Sequence, residues 1–214
     1  MHTISSLRAA AAVVVIAAAT SFAVTASASP FARFGQPAMP MMDQDNDGSV
    51  EVPANFKRQI VDYRTNEAPG TIVIDTPNTY LYFVLGNGRA VRYGIGVGRE
   101  GFTWSGTQTV SKKAEWPDWT PPPEMIERQP YLPRFMAGGP GNPLGARAMY
   151  LGGSVYRIHG TNAPTTIGHR VSSGCIRLTN EDVSDLYSRV NVGTKVVVLP
   201  MTERRAAAGA GGIY

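Results

Sequence analysis

From Gly70 onward, the hydrophobic positions of the chain follow the pattern of β-strands rather than of helices. Residues 71–74 form a short run of β-branched side chains. Residues 79–85 are aromatic or aliphatic almost throughout, which is typical of a strand buried on both faces. Gly86-Asn87-Gly88 follows, and Asn-Gly favours a tight hairpin turn in which both central residues adopt positive φ. We therefore expect residues 90–97 to return as the partner strand.

The second half of the chain predicts further short strands and one helix. After residue 180 the hydrophobic positions recur at the i, i+3, i+4, i+7 spacing of an amphipathic helix, and Thr179 or Asn180 can cap its N-terminus. Asp185 and Arg189 stand four positions apart on the polar side of this helix, where they can form an ion pair. The apolar stripe consists of Val183, Leu186, Tyr187 and Val190, and the remaining strands are predicted at 107–110, 112–116, 146–151, 155–158 and 194–199.

A long segment rich in Gly and Pro separates two of these predicted strands. Residues 116–123 cannot form a central strand, because each Pro lacks the N–H that the sheet requires. A short helix is predicted at 124–129 and a loop at 130–143, and irregular segments of this length often act as lids or binding loops. Five aromatic residues either line a groove for a glycan or peptide or cover the end of the sheet as core: Trp104, Trp116, Trp119, Tyr131 and Phe135.

The two ends of the chain differ in composition from the strand-rich middle. Arg8, the apolar run at 9–19 and the small residues at 26–28 predict a secretory signal peptide over residues 1–28. An uncleaved membrane anchor is the alternative, but the apolar run is short for a membrane span. We expect residues 29–68 to be a linker and N-terminal extension, 69–200 a single domain and 201–214 a flexible tail.

Charge and metal-binding patterns add little to this picture. The chain of 214 residues carries a net charge of +4, and loss of residues 1–28 removes only Arg8. Because no run of Lys and Arg is present, we expect no nucleic-acid partner. The acidic segment from Asp43 to Asp47 resembles a calcium-binding loop, but Ala54 stands where that loop needs a bidentate Glu. We interpret the segment as a solvated acidic turn and expect neither a metal nor a cofactor.

The reactive residue types are concentrated in one short region. Cys175 is the single cysteine, and His159 and His169 are the only histidines apart from His2. A lone cysteine in a secreted protein is either a buried inert thiol or a free reactive one. A thiolate is the nucleophilic form, and a nearby imidazole can take the thiol proton or hold the thiolate as an ion pair. This arrangement indicates cysteine nucleophile chemistry by acyl transfer through a thioester.

The order of residues around these positions resembles the signature of the L,D-transpeptidases of the YkuD type. The chain has His159-Gly160-Thr161, then a loop, then Ser173-Gly174-Cys175-Ile176-Arg177-Leu178, and the cysteine stands sixteen positions after the histidine. A weaker resemblance extends from about residue 70 to 199. The chain differs from many family members in having Ser rather than His immediately before the Gly-Cys pair, a form that resembles a recognised branch of the family.

The resemblance implies a mainly β fold, with a mixed, sandwich-like sheet, a helix after the nucleophile and the long Pro- and Gly-rich loop. It implies Cys175 as nucleophile and His159 as base, with His169 as the rival base because it lies nearer in sequence. The backbone around Gly174 and Ser173 would stabilise the oxyanion. Arg177, two residues past the nucleophile, would share its face and hold a substrate carboxylate, or else pair with Glu181 or Asp182 at the surface. We assign Thr161 and Asn162 to substrate binding.

The resemblance also implies a substrate and a compartment. The acyl donor would be a peptidoglycan tetrapeptide stem that loses D-Ala, and the acceptor would be an amine of another stem or of an outer-membrane protein. We expect a monomer in the periplasm that carbapenems acylate. Two alternatives remain open from the residues: a hydrolytic cysteine carboxypeptidase or amidase of the cell wall, and a non-catalytic wall-binding domain.

Overall fold

The computed structural model describes residues 52–202, which form a mainly β structure with few helices. The helices are α1 (Pro123–Arg128) and α2 (Asn180–Arg189), with single 3-10 turns at Ala54–Phe56 and Pro164–Thr166. The strands are β1 (Gln59–Asp62), β2 (Ile72–Asp75), β3 (Tyr80–Gly86), β4 (Arg89–Gly94), β5 (Val97–Gly98), β6 (Gly106–Glu115), β7 (Arg147–Leu151), β8 (Arg157–His159), β9 (Arg170–Ser172), β10 (Ile176–Arg177) and β11 (Lys195–Val198).

Nine of these strands form one mixed sheet, in the order β1-β4-β3-β2-β11-β6-β7-β8-β10, and β5 pairs separately with β9. In the large sheet, β11 runs parallel to β2 and β10 runs parallel to β8, whereas the other pairs are antiparallel. The predicted mainly β fold with a mixed sheet is thus confirmed. The hairpin between β3 and β4 also agrees with the prediction, since Asn87 and Gly88 both have positive φ.

Strand β6 differs from the prediction of two short strands at 107–110 and 112–116. It is continuous from Gly106 to Glu115 and pairs with β11 through its first half and with β7 through its second half. The register shifts between Val110 and Lys112, so a bulge stands where the sequence pattern suggested a break. One long strand therefore joins the two halves of the sheet.

Strand β1 lies within the segment that was expected to be a linker. It is an edge strand paired with β4, and its side chains are mostly exposed, so it lacks the hydrophobic alternation that identifies a half-buried strand. Arg58, immediately before it, forms ion pairs with Glu181, Asp182 and Asp185 on α2. The ordered domain therefore begins before residue 69.

The main hydrophobic core takes residues from both halves of the sheet and from α2. Val183, Leu186 and Val190 of the predicted helical stripe are buried in it, and Tyr187 packs against it. Thr179 caps α2 by accepting a hydrogen bond from the N–H of Asp182 at 3.0 Å. Opposite the site described below, Ile158 of β8 and Ile176 of β10 also enter this core.

The Pro- and Gly-rich segment contains α1 and otherwise little regular structure. Of its aromatic residues, Trp116, Tyr131 and Phe135 are exposed, so they do not form core. Trp104, before this segment, packs instead against the main core. The five aromatic residues therefore do not share one role.

Several predictions concern residues outside the described range. They are the signal peptide over 1–28, most of the N-terminal extension, the acidic turn at Asp43–Asp47 and most of the tail. Within residues 52–202, the helices are too short to span a membrane.

Candidate active site

Two neighbouring parallel strands bring the motif residues together. β8 and β10 pair with Ile176 opposite Ile158 and Arg177 opposite His159. Extending this register by one residue places Cys175 opposite Arg157. Because side chains alternate between the faces of a strand, Arg157, His159, Cys175 and Arg177 share the face opposite the two core isoleucines. His159 and Cys175 are diagonal neighbours on this face, about 8 Å apart at their Cα atoms for ideal strand spacings.

His159 is buried and held in one orientation by main-chain carbonyls. Only 4% of its surface is exposed, and Nδ1 lies 2.5 Å from the carbonyl oxygen of Gly160. A proton on Nδ1 makes this hydrogen bond, which leaves Nε2 as the unprotonated nitrogen that can accept a proton. The ring is therefore oriented by a main-chain carbonyl.

Burial also determines the charge of His159. Desolvation, which is the largest effect, and the positive charge of Arg177 together lower its pKa to about 3, against the opposing effect of hydrogen bonds to the backbone of Gly160 and Leu144. The imidazole is therefore neutral near neutral pH, as a general base must be.

The thiol of Cys175 is the second ionisable group of the site. The residue is partly exposed, and its Sγ lies 3.9 Å from the carbonyl oxygen of Val155. Burial of the sulfur raises the pKa of the thiol, while hydrogen bonds and charge from Arg157, and charge from Arg177, lower it. With burial the largest effect, the resting pair is a neutral thiol beside a neutral imidazole. This favours proton transfer during attack over a preformed ion pair.

The turn before Cys175 is held from several directions. Gly174 has a φ of +104°, and a Cβ at this position would lie 2.5 Å from the ring of Tyr156. Trp104 stacks on Tyr156 at 4.6 Å, and its Nε1 donates a hydrogen bond of 2.8 Å to the carbonyl oxygen of Gly174. Ser172 Oγ donates to the carbonyl oxygen of Cys175 at 2.6 Å. Glycine is therefore required at position 174 both by its backbone conformation and by the packed tyrosine ring.

The main-chain N–H groups of this turn are not equivalent. The N–H of Gly174 donates to Ser172 Oγ at 3.1 Å and is already engaged. The N–H groups of Ser173 and Cys175 donate to no other group within residues 52–202. Since a peptide unit is planar and trans, holding the Gly174 carbonyl on the Trp104 side directs the N–H of Cys175 away from Trp104. The free donors of the turn are thus those of residues 173 and 175.

Arg177 lies opposite His159 on β10, and it forms no ion pair with Glu181 or Asp182. Glu181 and Asp182 pair with Arg58 instead. The main chain of Arg177 forms two hydrogen bonds with Gly96, of 2.8 and 2.9 Å. β10 is therefore paired with β8 along one edge and bonded to Gly96 along the other. Its Nε is buried without a hydrogen-bond partner.

Thr161, Asn162 and His169 lie around the site rather than on its central face. Thr161 is buried, and its Oγ1 accepts a hydrogen bond from the N–H of Ala163 at 3.0 Å. Asn162 is exposed, and its Nδ2 donates to the carbonyl oxygen of Gly141 at 3.1 Å, which links the motif to the Gly-rich loop. His169 is exposed in the loop between the two motifs, where its carbonyl oxygen accepts from the N–H of Val97 at 3.0 Å.

The sequence did not reveal the roles of three residues around the site, which are Arg157, Ser172 and Trp104. Trp104 is 70 positions from Gly174, so no local pattern links the two. Arg157 carried a usable signal, because it stands two residues before His159 on a predicted strand and hence on the same face.

The chain matches the family model described as the L,D-transpeptidase catalytic domain (YkuD) over residues 69–198. It is 42% identical over 137 residues to the probable L,D-transpeptidase ErfK/SrfK of Escherichia coli K12, covering 60% of this chain and 43% of that protein. It is 33% identical over 141 residues to the putative L,D-transpeptidase YqjB of Bacillus subtilis 168, covering 62% and 74% of the two chains. The chain therefore matches less than half the length of ErfK/SrfK.

A structural comparison supports the same fold. The L,D-transpeptidase from Mycobacterium smegmatis aligns with a TM-score of 0.51 at 20% identity, covering 62% of this chain and 59% of that one. At this identity the likeness concerns the fold alone. The sequence matches carry the assignment, because the family model covers more than half of the 214 residues. The chain belongs to the family of L,D-transpeptidase catalytic domains.

Proposed function

We propose that this protein is a cysteine acyltransferase that acts as an L,D-transpeptidase on peptidoglycan. The acyl donor is a tetrapeptide stem, and the bond attacked joins the L-centre of its third residue to D-Ala. The product is a 3→3 cross-link when the acceptor is the amine of another stem, or a protein–peptidoglycan link when the acceptor is an outer-membrane protein. The observation that carries this proposal is the shared strand face of Cys175 and His159, with Nδ1 fixed on Gly160.

In the first half-reaction, Cys175 Sγ attacks the carbonyl carbon while Nε2 of His159 takes the thiol proton. The tetrahedral intermediate collapses when His159 gives this proton to the departing amine of D-Ala, and a thioester remains. In the second half-reaction the acceptor amine attacks the thioester, His159 takes the proton of that amine, and the thiol of Cys175 is restored. The neutral state of His159 suits it to begin this cycle as a base.

The oxyanion of each intermediate is assigned to the nucleophile turn. The free N–H groups of Ser173 and Cys175 are the donors, whereas Gly174 contributes its conformation because its own N–H is engaged by Ser172. Arg177 lies beside the nucleophile as a substrate-binding residue. Thr161 and Asn162 shape the wall of the site, with Asn162 bonded to the Gly-rich loop.

The same proposal includes the compartment and the partners. The predicted signal peptide over residues 1–28 supports export across the inner membrane to the periplasm, where peptidoglycan is found. The working form is a monomer with stem peptides as substrates, and Cys175 is acylated by carbapenems.

Product analysis tests the proposal against its hydrolytic alternative. Mature protein is incubated with purified disaccharide-tetrapeptide, and the muropeptides are separated and identified by mass. We expect a 3→3 dimer and free D-Ala, both absent with Cys175→Ala. Tripeptide without dimer, even when an amine acceptor is abundant, would replace the transferase with a carboxypeptidase. An unchanged donor would favour the wall-binding alternative.

A further inference from the structure

The site face carries two guanidinium groups that the thiol chemistry alone does not explain. Arg157 stands opposite Cys175 on β8, and Arg177 stands opposite His159 on β10. The Nε atoms of both are buried and have no hydrogen-bond partner. Neither arginine forms an ion pair with an Asp or Glu among residues 52–202. Both arginines are half-buried, and two such cations without an acidic partner form a positive site that a bound anion would stabilise.

The environment of Arg157 holds its guanidinium in place without neutralising it. Tyr150 lies opposite Arg157 on β7, and the guanidinium carbon is 5.2 Å from the centre of the Tyr150 ring. A guanidinium beside an aromatic ring keeps its full positive charge and its N–H donors. The fork of N–H donors on an arginine edge matches a carboxylate.

We infer that Arg157 and Arg177 together form a carboxylate-binding site beside Cys175, and that this site selects acyl donors whose leaving amino acid ends in a free carboxylate. This rests on the proposed function for the identity of the donor. In such a donor, one carbon separates the scissile nitrogen from the terminal carboxylate. An anion site next to the attacking sulfur therefore lies where this carboxylate must be. A donor extended by one more residue, or ending in an amide, places no charge there.

Alkylation of Cys175 tests the anion site without any peptidoglycan substrate. The Cys175 thiolate displaces iodide from both iodoacetate and iodoacetamide, which differ in charge, so the ratio of the iodoacetate rate to the iodoacetamide rate cancels any change in thiolate fraction. We expect this ratio, normalised to that of glutathione, to fall roughly fivefold in Arg157→Gln and again in Arg177→Gln. Arg89→Gln is the matched control, because Arg89 is exposed at the start of β4. It lies about 20 Å along the chain from Gly96, which is hydrogen-bonded to Arg177. This variant should keep the wild-type ratio.

Two further measurements distinguish loss of the anion site from misfolding of the Gln variants. Arg157→Lys keeps the positive charge but lacks the paired N–H donors of a guanidinium, so its ratio should lie between those of the wild type and Arg157→Gln. In the wild-type protein, added salt should slow iodoacetate and leave iodoacetamide unchanged. If both reagents slow in parallel in Arg157→Gln, or if salt acts on both equally, Arg157 is only structural and the inference is overturned.

Peptide donors then separate this inference from the proposed function. A tetrapeptide donor ending in a carboxylate is compared with the same donor ending in an amide, and kcat and KM are measured for each. We expect the wild type to prefer the carboxylate donor, and Arg157→Gln to lose this preference mainly through a higher KM for that donor. Equal processing of both donors by the wild type would overturn the inference while leaving the acyltransferase intact. If neither donor is processed although the alkylation ratio depends on Arg157, the anion site stands and the proposed function fails.

Discussion

At the scale of single residues, burial decides the protonation state of His159. Water is excluded from the ring, positive charge from Arg177 is close, and both effects favour the neutral imidazole. The hydrogen bond to Gly160 then decides which nitrogen carries the proton. The proposed base thus has one defined atom, Nε2, at which it can accept a proton.

His159 is buried whereas His169 is exposed, and substitution of each tests which of them is the general base. We expect His159→Gln to lower the rate of thioester formation by about 10²–10⁴-fold, because the thiol then has no general base. His169→Gln should keep most of the activity, since His169 is exposed and lies in a loop. Initial rates of D-Ala release measure the effect, and circular dichroism verifies that each variant is folded. Loss of activity in His169→Gln alone would reverse the assignment of the base.

The buried imidazole also makes stability depend on pH. The pKa of His159 is about 3 in the native protein, against 6.5 for the reference histidine. Between these values the unfolded chain binds a proton that the native chain does not bind. His159 therefore does not lower the free energy of unfolding above about pH 6.5. On acidification from pH 6.5 toward pH 3, it lowers this free energy by up to about 1.4 kcal/mol per pH unit.

Thermal denaturation across this range tests the linkage. Tm of the wild type should fall as pH is lowered from 6.5 to 4, and Tm of His159→Gln should fall less steeply, whatever its absolute value. Cys175→Ala retains the imidazole and should keep the wild-type slope. Parallel curves for the wild type and His159→Gln would show that the native imidazole takes up its proton in this range.

At the scale of elements, the site depends on contacts that join distant parts of the chain to the nucleophile turn. Trp104 precedes β6, Tyr156 precedes β8, and the two stacked rings pack against the turn that contains Gly174. The indole hydrogen bond fixes the peptide unit between Gly174 and Cys175, and with it the direction of the Cys175 N–H. The tryptophan therefore fixes the peptide unit that carries the N–H proposed to bind the oxyanion.

Trp104→Phe removes this hydrogen bond and keeps an aromatic ring on Tyr156. We expect kcat for thioester formation to fall roughly tenfold with little change in KM, because the loss concerns the orientation of the oxyanion donor. Stability should fall by only about 1 kcal/mol, the usual net value of one hydrogen bond. Steady-state kinetics and urea denaturation measure the two effects. A variant with wild-type kcat would remove Trp104 from the positioning of the turn.

The elements that could be predicted are those whose own residues carry a strong pattern. Strand β3 and helix α2 were predicted because their apolar positions follow a strand or helix period. Strand β1 was missed because it is an exposed edge strand, and β9 because it is three residues long within a loop. The bulge in β6 broke its pattern into two apparent strands.

The same distinction applies to the site. Cys175, His159 and Arg177 follow one another in a compact motif, so the chemistry could be inferred from their order. The contact of Trp104 with Gly174 and the cross-strand position of Arg157 arise only when distant segments fold together. Sequence order predicts the reacting groups, whereas the contacts that would orient them depend on tertiary packing.

At the scale of the whole molecule, we propose that the catalytic domain is exported by an N-terminal signal peptide. The order of apolar residues at 9–19 and small residues at 26–28 predicts removal of residues 1–28 during export. When the full chain is expressed in a host with a periplasm, we expect soluble periplasmic protein that begins at Ser29. Intact mass and N-terminal sequencing of the periplasmic fraction measure this. Full-length protein held in the membrane fraction would indicate an anchor instead.

The central claim is that Cys175 forms a thioester with a peptidoglycan stem. Intact mass spectrometry of mature protein mixed with disaccharide-tetrapeptide tests it most directly, with Cys175→Ala beside it. We predict a covalent adduct whose mass equals that of the donor minus D-Ala, present in the wild type and absent in the variant. A wild-type protein with a demonstrably free thiol that forms no such adduct with any stem-peptide donor would contradict the account.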